Sequence, residues 1–465
     1  MTAPLGRLTW VNYDNTSESL KDDENTSIIK SHAMRMVHET KKGARKTSQK
    51  QTAQTLWDER KLTARTPLVH HPGTDWEAVA VCQFLQAFVY PNCTSPVIAF
   101  QYLSFLPELY GTSFARTCLT EAIVAVATAR LSNKTDRGTE ASKLSLRARR
   151  AYTSALNLVN KSMGVPIERK SDAVLATLCL LAKYEMLTAD MNQDLFQAHE
   201  RGQVALVDER NQAEWLKSDT GVSLFQLVYV RHILNCVATS GEPRMDLGCE
   251  EGKLAFPAPC VLGLMRIIRR IAVLRCQAAA DPLGDTKETT ISYYIADNAV
   301  KLDSDMTALR ENLPAELDYR SISNLQASRK PSKTLYVPPK THIFTDLQHA
   351  SYWHVFFCGR LHVLQTLLQY ATYQTISSPE ALHTRILSTV DDICASVPFA
   401  LYEEECSLAF ISTEDGGAVA GHYLTWLLAA ASVVESISEP QRRWLLERLV
   451  YIGRVHGVQE ALRRA

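Results

Sequence analysis

From Asp75 onward, apolar positions recur at three- and four-residue spacing with short polar breaks, the signature of consecutive amphipathic helices. Asp75 stands as a natural cap before Trp76, Val79, Ala80, Phe84 and Phe88. Thr112 and Ser113 play the same part before FARTCLTEAIVAVATARL, and Ser171 before DAVLATLCLLAKYEML. Between those two segments, Leu144, Ala148, Ala151, Ala155 and Leu158 mark a further helical face. The cleanest stripe is Leu347, Ala350, His354, Phe357, Leu361, Leu364 and Leu368, which ends near Tyr370. Such a stripe fits a dimer seam or an intramolecular core helix, and the equally apolar segments around it favour the core. Leu382–Val397, Val419–Ile437 and Ser438–Val455 repeat the pattern, the last with Pro440 in its first turn and Gly457 just past its end. The periodicity fades over 281–345, which predicts a long loop there, most loop-like at RKPSKTLYVPPKTH. Strand-like alternation is nearly absent. The expected fold class is all-α: a large multi-helix domain over residues 73–465, preceded by a charged, largely flexible N-terminal arm over 1–72.

Composition agrees with helix. The 19 glycines and 18 prolines make about 8% of the 465 residues, below the roughly 12% of average usage, which leaves little turn material for an all-β chain. Lys and Arg number 50 and Asp and Glu 50, a balance that excludes a uniformly basic nucleic-acid coat or an acidic solvating chain. The balance hides a polarised arm. Up to Glu24 it is acidic (Asp14, Glu18, Asp22, Asp23), and then Lys30, Arg35, Lys41, Lys42, Arg45, Lys46, Lys50, Arg60, Lys61 and Arg65 follow with few acids among them. Such a segment buries too little apolar surface to fold alone. Its clustered cations suit phosphates, with a salt-sensitive and sequence-independent affinity, and KKGARK also reads as a nuclear-import signal. Lys30, Arg35, Lys41, Lys42, Arg45, Lys46 and Lys50 are therefore the candidate contacts to DNA phosphates or an import receptor, with a solvated tail the equal alternative from charge alone. No aromatic residue lies between Lys30 and Lys50, which disfavours recognition of single strands or RNA by stacking.

The start of the chain carries no apolar core of a secretory signal. The eleven cysteines are odd in number, scattered and flanked by apolar residues, as expected of reduced core thiols. The apolar stretch Ala418–Val434 is broken by Gly421 and His422, so it is expected to be a core helix and no membrane partner is expected.

Catalytic and metal signatures are sparse. No Cys-x2-Cys pair exists, His32 and His38 are too far apart for adjacent helical turns, and the consecutive His70 and His71 point apart. His354 lies on the apolar stripe, where a satisfied core histidine is expected. Neither a phosphate loop nor a nucleophile elbow occurs, and Asp391–Asp392 lacks the third acid of an aspartate-rich magnesium motif. No cofactor or metal is expected, and an enzymatic role is disfavoured.

Several segments, taken in order, resemble one family. The opening TWVNYDNTSESLKDDENTSIIKSHAMRMVHETKKGARK pairs an aromatic-Val-Asn start with Ser-His-x-Met-Arg and a basic run. Ser145–Leu187 pairs an Ala-Leu-Asn-Leu-Val-Asn turn with Ser-Asp-Ala-Val-Leu and Tyr-Glu, and Ala198–Cys236 follows with His-x-x-Gly and Gly-x-x-Leu-Phe elements. LQHASYWHVFFCGRLHVLQTLL, DDICASVPFALYEEE and the Ile-Gly-x-x-x-Gly close of WLLAAASVVESISEPQRRWLLERLVYIGRVHGVQEAL complete the series. Together they resemble the fungal-specific transcription factor family, in which a binuclear zinc cluster precedes a large all-α regulatory region. The resemblance implies a nuclear transcriptional regulator, shared with the cytoplasm at most in part, that controls a metabolic or secondary-metabolite pathway. It also implies as partners a zinc-cluster factor or a second copy of the chain, and a small-molecule effector. The six-cysteine zinc cluster itself is absent, so zinc and its base-reading contacts carry over to no residue here. The alternative expectation is an accessory protein that binds partners or an effector without touching DNA.

Overall fold

The computed structural model describes residues 75–89, 103–111, 117–135, 138–188, 193–210, 212–280, 290–323, 336–370, 378–401 and 417–465. These are overwhelmingly helical, and apart from Asp75 and Trp76 they belong to one compact unit, Glu77–Ala465. The chain order is α1 (Trp76–Phe88), α2 (Leu106–Gly111), α3 (Cys118–Lys134), α4 (Thr139–Met163), α5 (Pro166–Arg169), α6 (Asp172–Leu187), α7 (Gln193–Arg210), α8 (Gln212–Trp215), α9 (Asp219–Thr239), α10 (Cys249–Ala255), α11 (Pro259–Ala280) and α12 (Thr290–Glu311). There follow the strands β1 (Arg320–Ser323) and β2 (Lys340–Ile343), then α13 (Leu347–Tyr370), α14 (Pro379–Leu401), α15 (Gly417–Ser432), α16 (Glu439–Val455) and α17 (Gln459–Arg464).

Local chemistry explains where the helices begin. The Ser171 hydroxyl accepts from the Val174 N–H at the head of α6, as the sequence predicts. Ser438 does the same for Gln441 ahead of Pro440 in α16. The cap of α3 is Thr117 rather than Thr112 or Ser113, and it forms a reciprocal box in which Thr120 N–H donates to Thr117 and Thr117 N–H donates to Thr120 at 2.8 Å.

Helices α3 and α6 are buried almost all round and pack on each other, with α4 laid against both. The buried face of α4 is Leu144, Ala148, Ala151, Ala155 and Val159, so the predicted stripe holds except that Val159 replaces Leu158 at its end. Its alanines permit the close approach to α3. In the second half, α13 runs through the centre and touches α11, α12, α14 and α15. Gly359 makes the α11 approach feasible, because a Cβ there would lie 2.4 Å from Ile268 Cδ1. Helix α9 joins the two halves, packing on α6, α7, α11 and α13. Among the described residues it is also the one helix long and apolar enough to cross a membrane, and 67% of its apolar window is buried by these neighbours.

Part of the region expected to be a long loop is ordered as α12 and a two-stranded antiparallel ladder. Ile295, Ala296, Ala299, Leu302 and Met306 bury one face of α12 against α11 and α13. In the ladder Ser321 pairs with His342 and Arg320 with Ile343. Residues 281–289 and 324–335 lie outside the described residues.

The Ile-Gly-x-x-x-Gly close has a plain steric reason. A Cβ on Gly453 would sit 2.3 Å from Leu462 Cγ, so glycine is what lets α17 fold back on α16. Gly457 turns the chain with φ +77°, a conformation that side chains resist. Its carbonyl accepts from Asn133 Nδ2 at 2.9 Å, and the same amide donates to Leu187 O at 2.6 Å, tying the ends of α3, α6 and α16 together.

Candidate functional site

Faces of α9, α13 and α15 enclose a cavity of about 580 Å³, inside the range of roughly 300–1,000 Å³ typical of small-molecule sites. Helical spacing builds each wall. On α9, Ser223, Gln226, Leu227, Val230, Arg231, Leu234, Asn235 and Ala238 follow the three-and-four rhythm of one face. On α13, His354, Cys358, His362 and Gln365 do the same. Helix α15 contributes His422, Tyr423, Trp426 and Leu427, then the small residues Ala429, Ala430 and Ser432 where bulk would fill the space. Phe196 of α7, Met186 of α6 and Arg275 of α11 close the remaining sides, and Arg463 and Arg464 of α17 stand at the edge.

The wall is apolar with cationic points. Among the described residues four arginines line it, and neither aspartate nor glutamate does. Arg463 and Arg464 are both paired with Glu460, at 2.5 Å and 2.7 Å. Among the described residues, Arg231 and Arg275 reach only backbone carbonyls: Arg231 Nη1 donates to Cys179 O at 3.4 Å, and Arg275 Nε to Val237 O at 2.5 Å. The guanidinium of Arg231 also lies 5.3 Å from the centre of the Phe196 ring, and its Nη2 is buried with no hydrogen-bond partner among the described residues.

The histidines of α13 depart from expectation. His354 is 3% exposed, and neither ring nitrogen has a partner among the described residues. It is therefore not the satisfied core histidine that the apolar stripe predicts. Burial drives its pKa down to about 3, so it stands as a neutral imidazole with one donor and one acceptor unused. His362, two turns on, is held down to about 3 by burial and by the nearby Arg275 cation, and its Nδ1 is likewise unpartnered. Between them, burial pushes the Cys358 thiol up to about 12, against the pull of Arg275. That thiol is protonated and unreactive near neutrality.

A polar network backs the Arg231 end. Asn235 Nδ2 donates to Glu200 Oε2 at 2.6 Å, while Glu200 Oε1 has no partner among the described residues. Burial raises Glu200 to about 7, with the Arg231 cation pulling the other way. Next to it, Tyr152 Oη donates to Glu185 at 2.6 Å and lies 3.0 Å from His199 Nε2, fixing α7 against α4 and α6.

A second cluster arises at the ladder. Ser321 Oγ lies 2.9 Å from His342 Nδ1, and His342 Nε2 3.3 Å from Asp392 Oδ1. The serine and histidine are register partners of β1 and β2. The carboxylate is already paired with Lys340 at 2.7 Å, and the Tyr319 ring covers the imidazole at 4.0 Å. The array fastens the ladder to α14. It also accounts for Asp392, while Asp391 accepts from Gln441 Nε2 at 2.9 Å.

The sequence-based candidates Lys30, Arg35, Lys41, Lys42, Arg45, Lys46 and Lys50 all lie outside the described residues. Arg231 and Arg275 were missed, although a lone arginine inside the apolar run VYVRHILNCV was a visible signal. Among the described residues eight cysteines are free thiols, of which Cys118, Cys179, Cys236 and Cys394 are buried. No family model, curated protein or solved structure matches the chain.

Proposed function

We propose that this protein is a transcriptional regulator of the fungal-specific type, acting in the nucleus. Its helical body responds to a small effector, and its basic arm engages DNA phosphates or an import receptor. One observation supports the reading most. Four of the segments that resemble the family, Ser145–Leu187, Ala198–Cys236, 347–368 and 426–462, are separated in sequence, yet each contributes to the wall of the same cavity, whereas DDICASVPFALYEEE supplies no wall residue among those described. Shared motifs of a regulatory domain are expected to converge where a ligand is sensed. An all-α hydrolase or cyclase calls for an acid-lined cavity, whereas this wall carries arginine and neutral histidine.

Replacing Lys41, Lys42, Arg45 and Lys46 together by alanine tests the arm. Loss of nuclear accumulation or of salt-sensitive DNA binding is the expected outcome; retention of both refutes its role. The absence of Cys-x2-Cys pairs favours a second reading, an accessory protein that reaches DNA only through a zinc-cluster factor. Chromatin occupancy measured with and without candidate partners separates the two, because occupancy that survives loss of every partner excludes the accessory role.

A further inference from the structure

We infer that the cavity takes an amphipathic organic acid, its carboxylate held by Arg231 and its aromatic or aliphatic body laid along Leu227, Trp426 and Leu427. The inference rests on the reading of the cavity as an effector site and adds the chemical class of the effector.

Charge decides the head group. Arg463 and Arg464 share Glu460, so their charges are already matched. Arg231 and Arg275 have no carboxylate at ion-pair distance among the described residues, and the wall supplies none. A partly buried guanidinium with only carbonyl oxygens for company lacks the counter-charge that normally repays its desolvation. Arg231 stands in the wall of the cavity, and a carboxylate matches guanidinium geometry. Glu200, the nearest acid named around Arg231, is engaged by Asn235 and lies outside the wall. A cationic amine in the same space would meet repulsion from both arginines.

The remainder of the wall decides the body. Leu227, Val230, Val355, Trp426 and Leu427 present apolar surface that removes hydrocarbon from water. A fully hydrophilic anion such as inorganic phosphate would leave that surface uncovered. His354 belongs to the same wall as a neutral imidazole whose ring nitrogens are themselves covered. With no partner among the described residues, the imidazole is a standing cost to the fold.

The test is calorimetric titration of the purified full chain, without DNA, using 1-naphthaleneacetate and 4-phenylbutyrate. The neutral amides of both acids and 4-phenylbutylamine are the comparison probes. The expected result is binding of the acids at least about tenfold tighter than of their amides, equivalent to ~1.4 kcal/mol, with the amine weakest. In Arg231→Met the acid should fall to the affinity of its amide while the amide is unchanged, which also shows that the cavity has survived the substitution. Amides that bind wild type as tightly as acids, an acid preference that persists in Arg231→Met, or no binding by any acid would each overturn the inference. The wild-type acid-to-amide ratio decides the matter even if the variant fails to fold. Equal binding of acid and amide would leave the effector reading standing and remove only the class, and loss of the arm's DNA role would leave this result untouched.

Discussion

Replacing His354 by leucine removes two unpartnered ring nitrogens from a position that is 3% exposed and keeps a side chain of similar bulk in the wall of the cavity. A buried polar group without a partner costs about 1–3 kcal/mol, so His354→Leu is expected to stabilise the ligand-free protein by about that amount near pH 7.5. A second contribution depends on pH. Burial lowers His354 from 6.5 to about 3, so its contribution to stability is complete above the unfolded value and is lost as pH falls toward the folded one. One pH unit below the unfolded value the loss is ~1.4 kcal/mol. Leucine has no proton to bind, so the advantage of the variant should grow by about that much near pH 5.5. Urea unfolding of wild type and variant at both pH values reads the two contributions directly, provided the denaturant slope is unchanged. A variant less stable than wild type near pH 7.5 would show that the imidazole makes stabilising contacts. An equal difference at both pH values would show that it is not held neutral by burial.

Three further outcomes follow from particular contacts. Gly453→Ala places a methyl 2.3 Å from Leu462 Cγ and should cost about 1–3 kcal/mol. Leu462→Ala in the same chain should recover part of it, and strict additivity in the double-mutant cycle would contradict the clash. Gly457→Ala at φ +77° should cost about 1–2 kcal/mol by thermal unfolding, and no loss would mean the turn relaxes. Because burial raises Glu200 from 4.5 to about 7, its favourable contribution is complete below the unfolded value and is lost as pH rises through the folded one, about 3 kcal/mol in all. Glu200→Gln should flatten stability between those values, and an unchanged pH profile would refute the assignment.

Helices α6, α13 and α16 were legible because their caps and faces obey local rules: Ser171 and Ser438 accept N–H bonds at helix starts, and the predicted end at Tyr370 is the observed one. Helix α12 was not, for a physical reason. Beside its buried stripe it also exposes Ile291, Tyr293, Tyr294 and Val300, and apolar residues on both faces flatten the periodicity that marks a helix. The start of α3 was missed because the cap Thr117 is answered by Thr120 rather than by the glutamate or glutamine that makes a capping box visible in sequence. The cavity was illegible for a deeper reason. Periodicity tells which face of α9 or α15 is apolar, but the space among three such faces depends on where Ala429, Ala430 and Ser432 meet larger neighbours.

The claim that the faces of α9, α13 and α15 form a binding site for an organic acid is met most directly by a crystal structure of the full chain grown with 4-bromo-1-naphthaleneacetic acid. The account predicts a bromine anomalous peak against Trp426 and Leu427, with the carboxylate on Arg231. A cavity without that peak, or an acid bound only to surface lysines, would contradict it.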